Sequence, residues 1–201
     1  MFANSCAIRT MATGGRFAAA VAACLFLRGS VVLAEQATSA VRVAEEHGVF
    51  TVVARFHVDQ PAPVVLNVLT DYEQIPRFMP DVRKSVVRER AAGRAVVEQE
   101  AQSGFMLFSK RVHLVLEIEE QPAALIFRDR CRTSFVRYEG AWRIAQEEGQ
   151  TEVVYQLTAE PSFDVPGFVL QRLLRRNSTQ MIEGLRREIE SRADLSTNRV
   201  R

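Results

Sequence analysis

The feature that most limits how this chain can fold is one long amphipathic helix placed after a run of short strands. Asp164-Val165-Pro166-Gly167 starts the helix, which is predicted from Phe168 to about Ala193. One stripe of residues recurs at helical spacing and is apolar except for Asn177: Leu170, Leu174, Asn177, Met181, Leu185 and Ile189. A helix of this kind has to bury one face only, so we expect it to lie across the open face of a sheet.

The sequence before that helix has the pattern of an antiparallel sheet. Strands are predicted at 82–90, 94–103, 106–119, 123–132, 134–146 and 151–161. The segments between them are short enough for hairpins: Ala91-Ala92-Gly93, Gln121-Pro122 and Glu147-Glu148-Gly149-Gln150. Strands joined in this way form a meander.

One more strand and two short helices are predicted ahead of the meander. Apolar residues alternate with polar ones from Phe50 to Val58, which indicates a half-buried strand. Pro61 then breaks the strand and starts a helix that runs to about Thr70. A second short helix spans residues 72–78. Residues 35–44 are predicted to be a linker, 45–193 a single domain and 194–201 a disordered tail.

Residues 1–34 have the pattern of a secretory signal peptide. A positive start is followed by the apolar run 17–27, and Val32 and Ala34 are small residues at the positions that precede cleavage. Two alternatives stay open, a lipoprotein cut at Cys24 within Val21-Ala22-Ala23-Cys24 and an uncleaved anchor. All three predict export, to the periplasm or outside the cell.

Charge and cysteine content exclude several classes of protein. The net charge is +2, and loss of the three leader arginines with residues 1–34 leaves −1, so no electrostatic signature of nucleic-acid binding remains. Cys131 would be the only cysteine of the mature chain, which precludes an internal disulfide and a zinc motif. No metal and no cofactor are predicted. The oligomeric state is left open.

The order of elements and two local motifs resemble a known superfamily. The first motif resembles the helical segment of the polyketide cyclase/dehydrase and coenzyme Q-binding START-like families. It consists of Val65-Leu66-Asn67-Val68-Leu69-Thr70-Asp71-Tyr72-Glu73-Gln74-Ile75-Pro76-Arg77-Phe78-Met79-Pro80-Asp81-Val82. The second motif is similar to the segment that starts the final helix in these families. It consists of Glu160-Pro161-Ser162-Phe163-Asp164-Val165-Pro166-Gly167-Phe168. Over residues 45–193 the resemblance implies an α+β helix-grip fold. In that fold a curved antiparallel sheet of about seven strands wraps a long C-terminal helix and encloses a cavity.

Candidate ligand-binding residues follow from placing the strand and helix phases around that implied cavity. Ten side chains are predicted to line it or its mouth: Phe78, Phe127, Tyr138, Trp142, Tyr155, Phe163, Phe168, Leu174, Asn177 and Met181. An apolar pocket with few polar groups suits a lipid, a quinone or a polycyclic molecule. The alternative for each apolar residue is ordinary core packing. Asn177 needs a polar partner, which is a ligand, a water or a strand end.

No catalytic constellation is predicted. His47, His57 and His113 fall on outward or turn positions. Asp129 shares the phase of Phe127, and is interpreted either as a base or ligand anchor, or as a salt-bridged residue at the rim. The leading hypothesis is an exported, noncatalytic carrier of a hydrophobic ligand. The alternatives are a cyclase/dehydratase-type enzyme that uses the same cavity and a protein-interaction module.

A cluster of arginines in the final helix raises the question of membrane contact. Arg172, Arg175 and Arg176 form a basic patch that is suited to anionic lipid head groups. The alternative is an ordinary solvated helix face. A peripheral membrane contact is therefore kept as an expectation.

Overall fold

The computed structural model describes the backbone of residues 40–105 and 108–198, and the side chains of residues 40–102 and 111–193. The described residues all belong to one compact unit. The predicted signal peptide lies outside the described residues. Among the described residues, no helix combines the length and the apolar character that crossing a bilayer requires.

Eight antiparallel strands, two short helices and one long helix make up the domain. The strands are β1 Ala40–Glu46, β2 Val49–Val58, β3 Val82–Ala91, β4 Arg94–Phe105, β5 Phe108–Gln121, β6 Ala124–Asp129, β7 Phe135–Gln146 and β8 Thr151–Pro161. The helices are α1 Ala62–Leu69, α2 Ile75–Phe78 and α3 Gly167–Asn198, with a 3₁₀ turn at Tyr72–Gln74. The spatial order is β1-β2-β8-β7-β6-β5-β4-β3. The predicted α+β helix-grip class is confirmed.

Pairing of β2 with β8 brings the start of the domain next to its last strand. Phe56 lies opposite Val153 and Val52 opposite Leu157, and all four side chains are buried on the face toward α3. The alternation that predicted β2 is therefore the alternation of its burial. Strands β3 to β7 continue the sheet as a meander, so that α1 and α2 form the only long excursion within the described residues 49–105 and 108–161.

Strand β1 lies where the sequence predicted a linker, and that prediction is wrong for residues 40–44. Glu46 pairs with Val49 across a two-residue turn in which His47 and Gly48 both have positive φ, 52° and 78°. This backbone conformation matches the twist of a tight hairpin. Val43 is the only buried residue of β1, so the strand lacks the apolar alternation that would predict it.

Helix α3 is longer than predicted. Its core side chains Ile182, Leu185 and Ile189 are completely buried against the sheet. The helix continues to Asn198, so residues 194–198 are helical and do not belong to a disordered tail. This extension is consistent with the sequence, because residues 194–198 contain neither proline nor glycine to stop the helix.

Candidate functional site

A cavity lies between the concave face of the sheet and α3, and it has two chambers. The outer chamber has a volume of about 330 Å³ and a mainly apolar wall. Strands β3, β4, β5, β7 and β8 form one side, through residues such as Val82, Val112 and Leu157. Helix α3 forms the other side, with Leu170 and Leu174.

The inner chamber is smaller, about 100 Å³, and lies beneath α1 and α2. Leu69 and Ile75 from the helices face Leu116, Ile118 and Trp142 from the sheet. Five residues line both chambers and so mark the point where they meet: Met79, Gln99, Tyr138, Tyr155 and Met181.

An aromatic cluster fixes the shape of this junction. The ring centroids of Trp142 and Tyr155 are 4.5 Å apart, and those of Phe135 and Tyr138 are 4.9 Å apart. Phe127 lies beside both tyrosines, at 6.1 Å from Tyr138 and 6.3 Å from Tyr155. Such contacts hold each ring in one orientation.

A glycine makes room for this packing. A Cβ atom at Gly140 would lie 2.7 Å from Cζ of Phe127 and 2.1 Å from the carbonyl oxygen of Gln156. The ring of Phe127 therefore occupies space that only a residue without a side chain leaves open.

Tyr138 and Tyr155 both line the two chambers at their junction. Burial raises the pKa of Tyr155 well above the usual value, and burial also raises the pKa of Tyr138. Both phenols are therefore neutral at physiological pH. They give the apolar cavity a polar point that carries no charge.

Nine of the ten predicted ligand-binding residues line one chamber or both. Tyr138, Tyr155, Phe163, Leu174, Asn177 and Met181 line the outer chamber, and Phe78, Phe127 and Trp142 line the inner one. Phe168, which was predicted at the mouth of the cavity, is 73% exposed and lines neither chamber. Phe168 is two residues from Leu170, which places it on the opposite side of α3.

Phe135 is a lining residue that sequence reasoning missed. It lies three residues before Tyr138, so simple alternation places the two on opposite faces of β7. The pairing of β7 with β8 shifts register between Phe135 and Arg137, and this irregularity turns both aromatic rings to the cavity. A regular pattern offers no signal for such a shift.

Tyr72 was missed as well. It lines the inner chamber from the 3₁₀ turn, and its hydroxyl donates a hydrogen bond to Glu120 over 2.8 Å. Burial, followed by this bond, raises the pKa of Tyr72 strongly. Tyr72 belongs to the motif of residues 65–82, but nothing in that motif distinguishes a cavity-lining residue from a surface residue.

Asp129 has a structural role. Its carboxylate accepts hydrogen bonds from the backbone N–H groups of Val115 (2.8 Å) and Arg132 (2.9 Å), and a longer one from Cys131 (3.3 Å). The predicted rim salt bridge is wrong, because Arg128 pairs with Glu117 at 2.9 Å. Asp129 thus caps the turn after β6, and it is not among the described residues that line either chamber.

The histidines lie on the turn of β1 and on the outer side of the sheet. Nε2 of His113 is 3.1 Å from Glu98, and His47 is exposed in the turn. His57 forms a cluster with Glu147 and Glu152 in which the potential metal-ligating atoms lie within 4.8 Å of one another. Arg55 already bonds Glu152 at 2.7 Å, so this carboxylate is charge-compensated without a metal.

A separate hollow of about 650 Å³ lies on the outer face of the sheet. Its lining includes the ion pairs of Glu117 with Arg94 at 2.5 Å and with Arg128 at 2.9 Å. The charged lining makes this surface unsuited to an apolar ligand. The cavity under α3 is the better candidate site, although the outer hollow is larger.

Solved structures with the same architecture come from several functional classes. A Thermus thermophilus protein is 24% identical, with a TM-score of 0.62 over 70% of this chain and 97% of its own. The Zhui aromatase/cyclase of a Streptomyces strain is 18% identical, with a TM-score of 0.62 over 72% of this chain and 96% of its own. A STAR-related lipid transfer protein of Xanthomonas axonopodis is 14% identical, with a TM-score of 0.60 over 75% and 98%. Likeness at these identities shows the fold.

The sequence itself also matches a family. No curated protein matches the chain significantly. The model of the polyketide cyclase / dehydrase and lipid transport family matches residues 58–186, which include α1, α2, β3 to β8 and most of α3. Together with the two-chambered cavity beneath α3, this match identifies the chain as a START-like domain of the polyketide cyclase / dehydrase and lipid transport family, built to bind a hydrophobic ligand.

Proposed function

We propose that this protein is a noncatalytic carrier that holds a lipid, a quinone or a polycyclic molecule in the cavity under α3. The observation that carries the proposal is the mainly apolar outer chamber of about 330 Å³, which adjoins a second chamber at Tyr138 and Tyr155. A chamber of this size is at the lower end of the range for small-molecule sites. The ligand is therefore compact, or it occupies both chambers.

The titratable groups near the cavity support binding over catalysis. Asp129, the acid that a cyclase/dehydratase mechanism would use, is held by backbone N–H groups at the end of β6. The imidazoles of His57 and His113 form pairs with glutamates on the outer side of the sheet. Tyr138 and Tyr155 are neutral, and their high pKa makes them poor proton donors to a substrate.

Two measurements test the carrier function. Native mass spectrometry of protein purified from its own host should detect a co-purifying small molecule. Binding of the neutral fluorescent probe N-phenyl-1-naphthylamine should be lost in Leu174→Trp, which fills the outer chamber. It should persist in Val136→Trp, because Val136 is 50% exposed on β7. Equal probe binding by both variants, with no co-purifying ligand, would contradict the proposal.

Export is part of the same proposal. The apolar run 17–27 followed by Val32 and Ala34 supports a cleaved leader. Cell fractionation should recover the protein outside the cytoplasm, with a mature N-terminus at Glu35. An acylated N-terminus at Cys24 would identify the lipoprotein alternative, and an intact leader in the membrane fraction would identify the anchored one.

A peripheral membrane contact is also proposed, at the start of α3. Phe168 is 73% exposed, and Arg172 and Arg175 follow it by four and seven residues on the same face of the helix. An exposed aromatic ring beside arginines suits an anionic lipid surface. Leu170, on the opposite face of the same turn, lines the outer chamber, so this contact lies beside the ligand site.

A cyclase/dehydratase-type enzyme is the second candidate, favoured by the shared fold of the Streptomyces aromatase/cyclase. Turnover of an aromatic polyketide by purified protein, abolished in Tyr155→Phe, would support it. A protein-interaction module is the third hypothesis. A stoichiometric protein partner that competes with the fluorescent probe would favour that one.

A further inference from the structure

All of the charged side chains that line the cavity, among the described residues, are negative. Among the side chains described (residues 40–102 and 111–193), Asp81 and Asp164 are the charged residues that line the chambers, and both line the outer one. No lysine, arginine or histidine of that set contributes to the lining. Arg175 and Arg176 are exposed on the surface of α3 and line neither chamber.

This distribution penalises an anionic ligand. A carboxylate that leaves water for an apolar chamber loses several kcal/mol of solvation unless a cation or several hydrogen bonds replace the water. The described lining offers no such cation, and the two aspartates add repulsion. A neutral ligand of the same shape meets neither penalty.

The tyrosine pair supplies one hydrogen bond to such a neutral ligand. Two phenols carry two hydroxyl protons, so a hydrogen bond between Tyr138 and Tyr155 would use only one of them. The second proton belongs to a hydroxyl at the junction of the two chambers, between rings held by Trp142 and Phe135. A ligand oxygen placed there can accept a hydrogen bond from this hydroxyl. Because the rings are already held in place, binding does not add the entropic cost of ordering them.

We propose that the ligand is an uncharged molecule with a carbonyl, ether or hydroxyl oxygen within its apolar body, and that this oxygen accepts a hydrogen bond from the Tyr138–Tyr155 pair. Fatty acids and other carboxylates are rejected by the same cavity. The inference rests on the proposed carrier function and specifies the chemical class of its ligand.

Three naphthalenes of nearly equal shape test this class. 2-Acetylnaphthalene has the acceptor oxygen, 2-ethylnaphthalene lacks it, and 2-naphthoate is an anion at pH 7.5. Each is used to displace N-phenyl-1-naphthylamine from the wild-type protein. We expect 2-acetylnaphthalene to bind at least about tenfold tighter than 2-naphthoate, and roughly 3- to 10-fold tighter than 2-ethylnaphthalene.

Two sets of variants assign these preferences to residues. Tyr138→Phe combined with Tyr155→Phe keeps both aromatic rings but removes both hydroxyl groups, and should bring the acetyl-to-ethyl affinity ratio close to one; this double variant is checked for unchanged thermal unfolding. Asp81→Asn combined with Asp164→Asn should raise the affinity for 2-naphthoate several-fold and leave 2-acetylnaphthalene unaffected. Asp59→Asn, an exposed aspartate that lines neither chamber, is the matched control.

The outcomes separate this inference from the carrier function. If 2-naphthoate binds as tightly as 2-acetylnaphthalene, the cavity does not select neutral ligands and the inference is wrong, although a carrier remains. If the double tyrosine variant keeps the acetyl-to-ethyl ratio, the assigned hydrogen bond is wrong. If no naphthalene and no fluorescent probe binds, the carrier function itself is contradicted.

Discussion

Gly184 of α3 lies so close to Phe78, the last residue of α2, that a Cβ at residue 184 would be 1.9 Å from the Phe78 carbonyl oxygen. The absence of a side chain therefore sets how near α2 approaches α3. That distance matters for the cavity, because the ring of Phe78 lines the inner chamber.

Gly184→Ala tests this contact. Alanine is about 1 kcal/mol better than glycine in a helix interior, but here it collides with backbone that has no rotamer to adopt. We expect a net loss of about 1–3 kcal/mol in the free energy of unfolding, measured by urea denaturation. Glu183→Ala, at the exposed neighbouring position, should stay within about 0.5 kcal/mol of the wild type. A more stable Gly184→Ala protein would show that the two helices are not in contact.

Gly140→Ala should disturb the aromatic cluster. The new methyl group would meet the Gln156 carbonyl oxygen at 2.1 Å and the ring of Phe127 at 2.7 Å, so β7 or the ring has to move. We expect destabilisation by about 1–3 kcal/mol and weaker binding of N-phenyl-1-naphthylamine. The exposed neighbour Glu139→Ala is the control. Unchanged binding in the alanine variant would mean that Phe127 does not shape the inner chamber.

Asp129→Asn separates a structural role from a catalytic one. The amide keeps one acceptor oxygen where the carboxylate has two, while backbone N–H groups of Val115 and Arg132 bond different oxygens. We expect a stability loss of about 1–3 kcal/mol and unchanged ligand preference at a temperature where the variant is folded. Lost ligand binding or lost activity at full stability would instead place Asp129 in the functional site.

The buried tyrosines predict how stability responds to alkali. Tyr72, Tyr138 and Tyr155 each have a raised pKa in the folded protein, chiefly because of burial. When the pKa of a tyrosine is higher in the folded state than in the unfolded state, its contribution to the free energy of unfolding is complete below the unfolded-state pKa of about 10. That contribution decreases as the pH rises above this value, because the unfolded chain then releases the proton more readily than the folded one. Thermal unfolding should therefore be insensitive to these residues at pH 7–9 and shift downward above pH 10. Tyr72→Phe should reduce the steepness of that shift, and an unaltered slope would contradict the burial of Tyr72.

Membrane contact through α3 has its own test. Flotation with vesicles that contain about 30% anionic lipid, against neutral vesicles, should show binding that falls with salt. Phe168→Ala should weaken it, because the variant removes the exposed ring without touching the cavity. Ile126→Ala, a 42% exposed residue on the outer face of the sheet, is the control. Equal flotation of both variants would rule out the proposed surface.

Periodic features were predictable from the sequence, and irregular ones were not. The alternation in β2 and the helical spacing of Leu185 and Ile189 correspond directly to burial, so the fold and most of the cavity lining followed from them. The register shift after Phe135 and the tight turn at His47, which has a positive φ, are local irregularities without a periodic pattern. The lining residue Phe135 and the strand β1 were therefore not predicted. The exposure of Phe168 was not predictable for a related reason, since the exact start of α3 decides which face each early residue takes.

The pairing of β2 with β8 also bears on when this domain can form. Arg55 and Glu152, which bond across these strands, are 97 residues apart in the chain. Pairing over such a separation costs loop entropy before it returns any contact energy, and topologies of this kind fold slowly. The nascent chain cannot complete its sheet until the ribosome has made β8. A polypeptide that remains unfolded for this long can still pass through a translocation pore, which is compatible with the export proposed for this protein.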